Sequence, residues 1–216
     1  IVKIDFMLEH YYNSKAAHNY MAIDNFDMLI FDYLKTMNLK NSDVLEIGAG
    51  FGRYTKALSL LSNTVYAVEP NDFMYGKLTN NFNNIKNVNP LAKNIEELLN
   101  ESLIANRIDY IFMFHVLHHL REESYAALSK LTEKLNSPLF IFEPNHLNPL
   151  FFFQIFVTKD MKFQEERRMF IDNSGLLVEK HFQNGFSINR TYLGLLPPQA
   201  TKLLAKGSRL FTNSIS

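Results

Sequence analysis

Cysteine is missing from all 216 residues, which removes disulfides, thiolate metal sites and a cysteine nucleophile together. An excess of charge is missing too. With 22 basic residues against 22 acidic ones, a generic attraction to polyanions has no source, and nucleic acid is not an expected partner. No apolar run reaches the roughly 18 residues of a membrane-spanning helix. The longest, Tyr110 to Leu120 and Leu147 to Val157, are broken by His115, His118, His119 and Gln154. Ile1 to Leu8 carries no charged-then-apolar leader pattern, so a cytoplasmic location is the expectation. No internal repeat is found. What is present is an ordinary composition, 47% hydrophobic, with length enough for one well-buried core.

Hydrophobic periodicity and punctuation divide the chain. Phe6 to Met37 is free of Gly and Pro and reads as helical. Its first half, with Tyr11, Tyr12, His18 and Tyr20, is expected to cover a pocket, and its second half to pack on a sheet. Strands are predicted from Asp43, over Thr64 to Val68, near Val88, over Ile108 to Phe114, and over Leu139 to Phe142. Helices are predicted over Thr55 to Leu61, Asp72 to Phe82, Ile95 to Leu103 and Glu122 to Leu135. This alternation is the order of a doubly wound parallel sheet. Glu69-Pro70-Asn71 and Glu143-Pro144-Asn145 each close a strand, because proline cannot continue a ladder. Further on, Glu165 to Ser174 reads as a helix stopped by Gly175. Leu176 to Phe182 and Phe186 to Thr191 alternate as a terminal hairpin would. The domain reading is an N-terminal helical segment or lid at 1–37, one α/β domain at 38–198 with an acceptor-side insertion at 145–170, and a basic tail at 199–216.

The chain is organised around Asp43-Val44-Leu45-Glu46-Ile47-Gly48-Ala49-Gly50-Phe51-Gly52-Arg53. A buried strand breaks into alternate glycines and then into a helix, whose unpaired N–H groups face whatever is bound there. A dinucleotide loop is one candidate, but it requires G-x-G-x-x-G. Here the glycines run G-x-G-x-G, and Arg53 stands where the last should be. Glu46 adds to the case, since a carboxylate repels a pyrophosphate and pairs with an ammonium.

Val44-Leu45-Glu46-Ile47-Gly48-Ala49-Gly50-Phe51-Gly52 resembles the first motif of class I S-adenosylmethionine-dependent methyltransferases. Three further marks follow in order over about Asn41 to Asn145: Glu69 at the end of the second strand, Lys93-Asn94-Ile95-Glu96-Glu97-Leu98, and the strand Ile108 to Phe114 with its loop His115 to Leu120. The resemblance implies a doubly wound, mostly parallel seven-stranded sheet with helices on both faces and an antiparallel C-terminal hairpin. It implies S-adenosylmethionine as cofactor and membership of the small-molecule branch. It sets Gly48, Ala49, Gly50 and Gly52 against the methionine part, with Glu46 toward the amino end and Glu69 on the ribose hydroxyls. Pro70, Asn71 and Phe73 would neighbour the adenine, Asn94 and Ile95 would hold its exocyclic amine and one face, and Phe114 would complete the cofactor site.

Methyl transfer from a sulfonium is an in-line displacement, so alignment and exclusion of water matter most, and a base is needed only for a poorly ionised acceptor. His115 and His119 are the candidate bases on the rim past the fourth strand. No metal is expected, because the three clustered histidines lack partners at metal-ligand spacing. The Phe-rich stretch Phe151 to Phe156 points to a small or lipid-like apolar acceptor. The tail, with Lys202, Lys206 and Arg209, is read as a docking helix or a weak membrane-surface contact. Two other functions stay open: a non-catalytic methyltransferase-like binding module, and an NAD-binding oxidoreductase.

Overall fold

The computed structural model describes residues 25–100, 107–143, 174–182 and 186–189. Within them the chain runs α1 (Asn25–Thr36), β1 (Asp43–Ile47), α2 (Thr55–Leu61), β2 (Thr64–Val68), α3 (Asp72–Phe82), β3 (Val88–Leu91), α4 (Ile95–Leu98), β4 (Tyr110–Phe114), a single 3-10 turn (Leu117–His119), α5 (Glu122–Leu135), β5 (Leu139–Phe142) and α6 (Ser174–His181). The five strands form one sheet in the order β3-β2-β1-β4-β5, every pairing parallel. A parallel neighbour needs a crossover, and a right-handed crossover puts helices made while moving one way across the sheet on one face, and those made moving back on the other.

That rule is visible in the packing. Ile30, Leu34, Leu58, Leu78 and Phe82, from α1, α2 and α3, close over Val44, Val65, Phe112 and Phe114 on one face. Ile95, Leu98, Tyr125, Leu128 and Leu131, from α4 and α5, close over Leu45, Ile47, Ile111 and Met113 on the other. Successive strand residues alternate between the faces, and both β1, apolar but for Asp43 and Glu46, and the apolar run of β4 are buried on both sides. Pro90 sits in β3, the outer strand beside β2, where a missing donor costs a ladder least. No described helix is long and apolar enough to cross a membrane.

The direction of the chain reverses at β1, since β2 and β3 lie on one side of it and β4 and β5 on the other. The register sets Ile47 opposite Val68 and Met113, and Phe114 opposite Phe142. The loops that follow these strands therefore leave one edge, around the crevice where open α/β sheets bind ligands.

Two sequence expectations change. The first strand of the hairpin predicted over Leu176 to Phe182 and Phe186 to Thr191 is helix instead: α6 runs Ser174–His181, and Gly175 lies inside it rather than stopping one. Val178 and Phe182, one turn apart, pack with the α5 core, the Ser129 hydroxyl donates to the His181 carbonyl, and Lys180 pairs with Glu122. Eight residues satisfy a period of 2 or of 3.6 about equally, and packing on α5 selects the helix. The strand predicted from Ile108 begins at Tyr110. The described sheet has five strands; the sixth and seventh were expected in part from that hairpin. The first half of the N-terminal segment, the 145–170 insertion, most of the Glu165 to Ser174 helix and the 199–216 tail lie outside the described residues.

Gly52 (φ +91) shows how tightly the glycine loop is packed: a Cβ there would stand 2.1 Å from Cε2 of Phe82 and 3.0 Å from Leu78 of α3. Gly52→Ala is expected to lose about 3 kcal/mol by urea unfolding, combining overpacking with a left-handed backbone. Gly76→Ala, in α3 with nothing within 4 Å of the added methyl, is expected to gain up to about 1 kcal/mol. Equal effects of the two changes would contradict this packing.

Candidate active site

The site is assembled from the ends of β1, β2, β4 and β5. Past β1 the chain bends through Gly48 (φ +74) and Gly50 (φ +57). The N–H groups of Gly48 and Ala49 both donate to the Val68 carbonyl at 2.9 Å, which ties the loop to the end of β2. A Cβ on Gly48 would meet Val116 at 2.4 Å, whereas one on Gly50 meets only the tip of Met74 at 3.4 Å. Gly48 thus serves close packing of the β1 and β4 loops, and Gly50 lets the backbone turn its N–H.

That N–H donates to Oε2 of Glu69 at 2.8 Å, and the Asn71 N–H donates to Oε1 at 3.0 Å. Burial pushes the Glu69 carboxyl above its ordinary range, against the pull of these two donors. Two of the roughly four acceptor positions of the carboxylate are used in this way, leaving the group able to accept two more donors. Asn71 caps α3 through Met74 N–H, and Pro70 beside it is exposed. Asn94 is the N-cap of α4 and forms a reciprocal capping box with Glu97, with Ile95 buried behind it. Phe73 meets Phe51 of the loop edge to face at 6.2 Å.

Glu46 lies within β1, 1% exposed, where Thr55 Oγ1 donates to it at 2.5 Å. Burial, opposed by Thr55 and aided by the Glu69 charge, raises its pKa to about 8. Phe114, expected to meet the cofactor, has its ring in an aromatic column instead, stacked on Tyr54 at 4.3 Å and Phe142 at 5.0 Å.

Across the crevice a second glutamate does for the β4 loop what Glu69 does for the β1 loop. Glu143, one residue past β5, accepts from Leu117 N–H at 2.8 Å and pairs with His118 Nδ1. Burial would raise its pKa, but the His118 bond and charge, the His115 charge and the Leu117 N–H together hold it below the ordinary carboxylate range. Of the three histidines, His118 is therefore buried and tied, His119 is exposed with its ring 4.0 Å from that of His118, and His115 is half-buried at the strand end. His115 has φ +57, donates its backbone N–H to Phe142 at 2.8 Å, and has Nε2 3.1 Å from the Tyr54 hydroxyl. Burial lowers its pKa to about 4; Glu143 and Asp27 oppose that shift, while Arg53 and His118 reinforce it.

Three residues were not picked out as site residues from the sequence. Tyr54 donates to Asp27 Oδ1 at 2.5 Å, Arg53 pairs with Asp27 Oδ2, and Asp27 is 1% exposed on α1. The available signal was spacing: Asp27, Ile30, Phe31 and Leu34 share one helical face, and an acid on a core face needs a buried partner. Among the described residues no three His, Cys, Asp or Glu side chains gather as a metal set.

Residues 45–137 match a family model described as a methyltransferase domain. No curated protein matches the chain. A solved SAM-dependent methyltransferase from Aquifex aeolicus is similar at 20% identity, over 80% of this chain and 85% of that one, with a TM-score of 0.55. The DhpI–SAM–HEP complex is similar at 18% identity, over 70% of this chain and 71% of that one, with a TM-score of 0.50. Against the YcgJ protein from Bacillus subtilis, at 19% identity and a TM-score of 0.41, the match covers 48% of this chain and 45% of that one. The match therefore spans less than half of YcgJ's length. These are likenesses of fold.

The pKa of Glu46 sets a sign for stability. A pKa raised on folding favours the folded state below the unfolded value and loses that contribution as pH rises, here from about 4.5 to about 8. His115, lowered from 6.5 to about 4, acts oppositely, below pH 6.5. Between pH 6.5 and 8 stability is therefore expected to fall with rising pH, Glu46 contributing up to about 1.4 kcal/mol per unit. Glu46→Gln should remove most of that slope in chemical denaturation across pH; parallel profiles for the two proteins would contradict a protonated Glu46.

Proposed function

We propose, from the match of residues 45–137 to a methyltransferase-domain model, that the chain is an S-adenosylmethionine-dependent methyltransferase and that it methylates a small-molecule or lipid-like acceptor bound over the rim histidines. The observation that carries the donor site is Glu69. Its buried carboxylate stands at the end of β2, beside the switch in strand order, and already holds the Gly50 N–H.

The residues present fit the donor. Glu69 keeps acceptor capacity for two ribose hydroxyls, Gly50 has no Cβ to fill the space before it, and a positive charge on the ligand would favour ionisation of the buried Glu46 and Glu69 carboxyls. Gly48, Ala49, Gly50 and Gly52 line the methionine side, with Glu46 behind them. Pro70, Asn71 and Phe73 border the adenine, with Asn94 and Ile95 on its other side. Phe114 acts through its ring stack, which fixes Tyr54 under the rim. Bound there, S-adenosylmethionine would supply a sulfonium methyl for in-line transfer to the acceptor atom.

His115 stays neutral down to about pH 4, so it is a weak base at neutral pH and acts by accepting a hydrogen bond from the acceptor's O–H or N–H. His119, exposed on the same turn, contributes to the acceptor side of the rim. The preference for an apolar acceptor follows from the Phe-rich sequence between residues 151 and 156.

Glu69→Ala is expected to weaken binding of S-adenosylhomocysteine roughly 10- to 100-fold in calorimetry, at 1.4 kcal/mol per decade. Unchanged affinity would remove Glu69 from the site. A labelled-methyl screen against lipid, small-molecule and protein extracts tests the acceptor: label confined to protein would overturn the small-molecule reading.

A further inference from the structure

The rim histidine is gripped from the N-terminal helix by a chain of hydrogen bonds with a fixed direction. Tyr54 Oη lies 2.5 Å from Asp27 Oδ1 and 3.1 Å from His115 Nε2. A carboxylate can only accept, so the phenol hydrogen is committed to Asp27. The phenol oxygen then faces Nε2 as an acceptor, and Nε2 must carry the hydrogen. Arg53 pairs with the other oxygen of Asp27, so each oxygen of that side chain meets a donor and the direction of the chain is held. The ring of Tyr54 is itself clamped by Phe114 at 4.3 Å and Phe31 at 5.8 Å.

His115 also sits at φ +57, a conformation that a non-glycine residue holds only when its surroundings over-determine it. The Phe142 carbonyl fixes its backbone N–H, and Tyr54 fixes its ring. Among the described residues, the charged and titratable groups around it are Asp27 from α1, Arg53 and Tyr54 from the loop entering α2, His118 from the turn that follows it and Glu143 just past β5.

We propose that Asp27 and Tyr54 are positioning residues that lock His115, on the rim of the crevice, as the Nε2–H tautomer. The proposal rests on the reading of His115 as an acceptor-side residue. It assigns a role to α1, which otherwise serves only to cover the sheet. The tautomer of a neutral histidine is set by the bond its other nitrogen makes, and here that bond originates 88 positions away in sequence, at Asp27.

Nitrogen-15 NMR on the uniformly labelled full chain reads the tautomer directly, with the His115 signals identified by their loss in His115→Gln. The wild type is expected to show Nε2–H in at least nine-tenths of molecules between pH 5.5 and 8. Tyr54→Phe keeps the ring stack but removes the oxygen, and is expected to lower the ratio of the two tautomers at least threefold. Asp27→Asn still offers an amide oxygen to the phenol and should retain the wild-type tautomer. Asp27→Ala frees the phenol to donate to Nε2 and should turn the ring to Nδ1–H. Leu128→Ala, in the core on the opposite face of the sheet, loosens packing without touching the chain of bonds and should leave the tautomer unchanged. A wild-type ring carrying hydrogen mainly on Nδ1, or a Tyr54→Phe ratio within twofold of wild type, overturns the proposal. Calorimetry with S-adenosylhomocysteine on the same proteins separates the two readings: no binding by the wild type would refute the donor site while the tautomer still reports on Tyr54.

Discussion

One hydrogen bond sets the shape of the crevice. The Gly50 N–H turns away from its own loop and donates to the Glu69 carboxylate, so the end of β2 grips the turn that follows β1. Only a residue without a Cβ adopts φ +57 and leaves space before it at little cost. Glu143 repeats the arrangement across the switch in strand order, gripping the β4 loop through Leu117 N–H and His118. Each wall of the crevice is thus pinned by a glutamate that follows the neighbouring strand and precedes a proline. Proline at that position ends the strand, which frees the glutamate to turn toward the adjacent loop.

The two glutamates differ electrostatically because their partners differ. Glu69 has backbone donors and no cation, and burial dominates. Glu143 has the hydrogen bond and charge of His118 beside it, helped by the Leu117 N–H, and these outweigh burial. With Glu46 also raised, the β1–β2 side of the crevice is a low-dielectric region whose carboxyls gain from an incoming positive charge. The β4–β5 side is already compensated. This division suits a donor with a sulfonium and an ammonium on one side and a neutral histidine on the other.

The glycine loop, the strand ends and the order of the layers could be read from the sequence because each rests on local signals: β-branched runs, prolines after glutamates, and helical periods such as that of Glu122 to Leu135. α6 was misread because eight residues carry too little periodicity to exclude a strand, and its contacts with α5 lie about 50 positions away in sequence. The Asp27–Tyr54–His115 chain was hidden for a related reason: its members come from three segments, brought together by the register of β1 with β4 and by the packing of α1 on that face of the sheet. One physical argument from sequence also needs correction. Glu46 was set against a pyrophosphate as a fixed negative charge, but with a pKa near 8 it is mostly neutral at pH 7. The case against a dinucleotide rests instead on the loop, where Arg53 takes the position of the last glycine and pairs with Asp27.

The most direct measurement is hydrogen–deuterium exchange of the full chain with and without S-adenosylhomocysteine. If the pinned loops form the donor site, slowed exchange will concentrate in residues 48–53, 69–74, 93–95 and 115–119, with the outer faces of α5 and α6 unchanged. Protection confined to other segments, or none at saturating ligand, would contradict a donor site between the two strand-end glutamates.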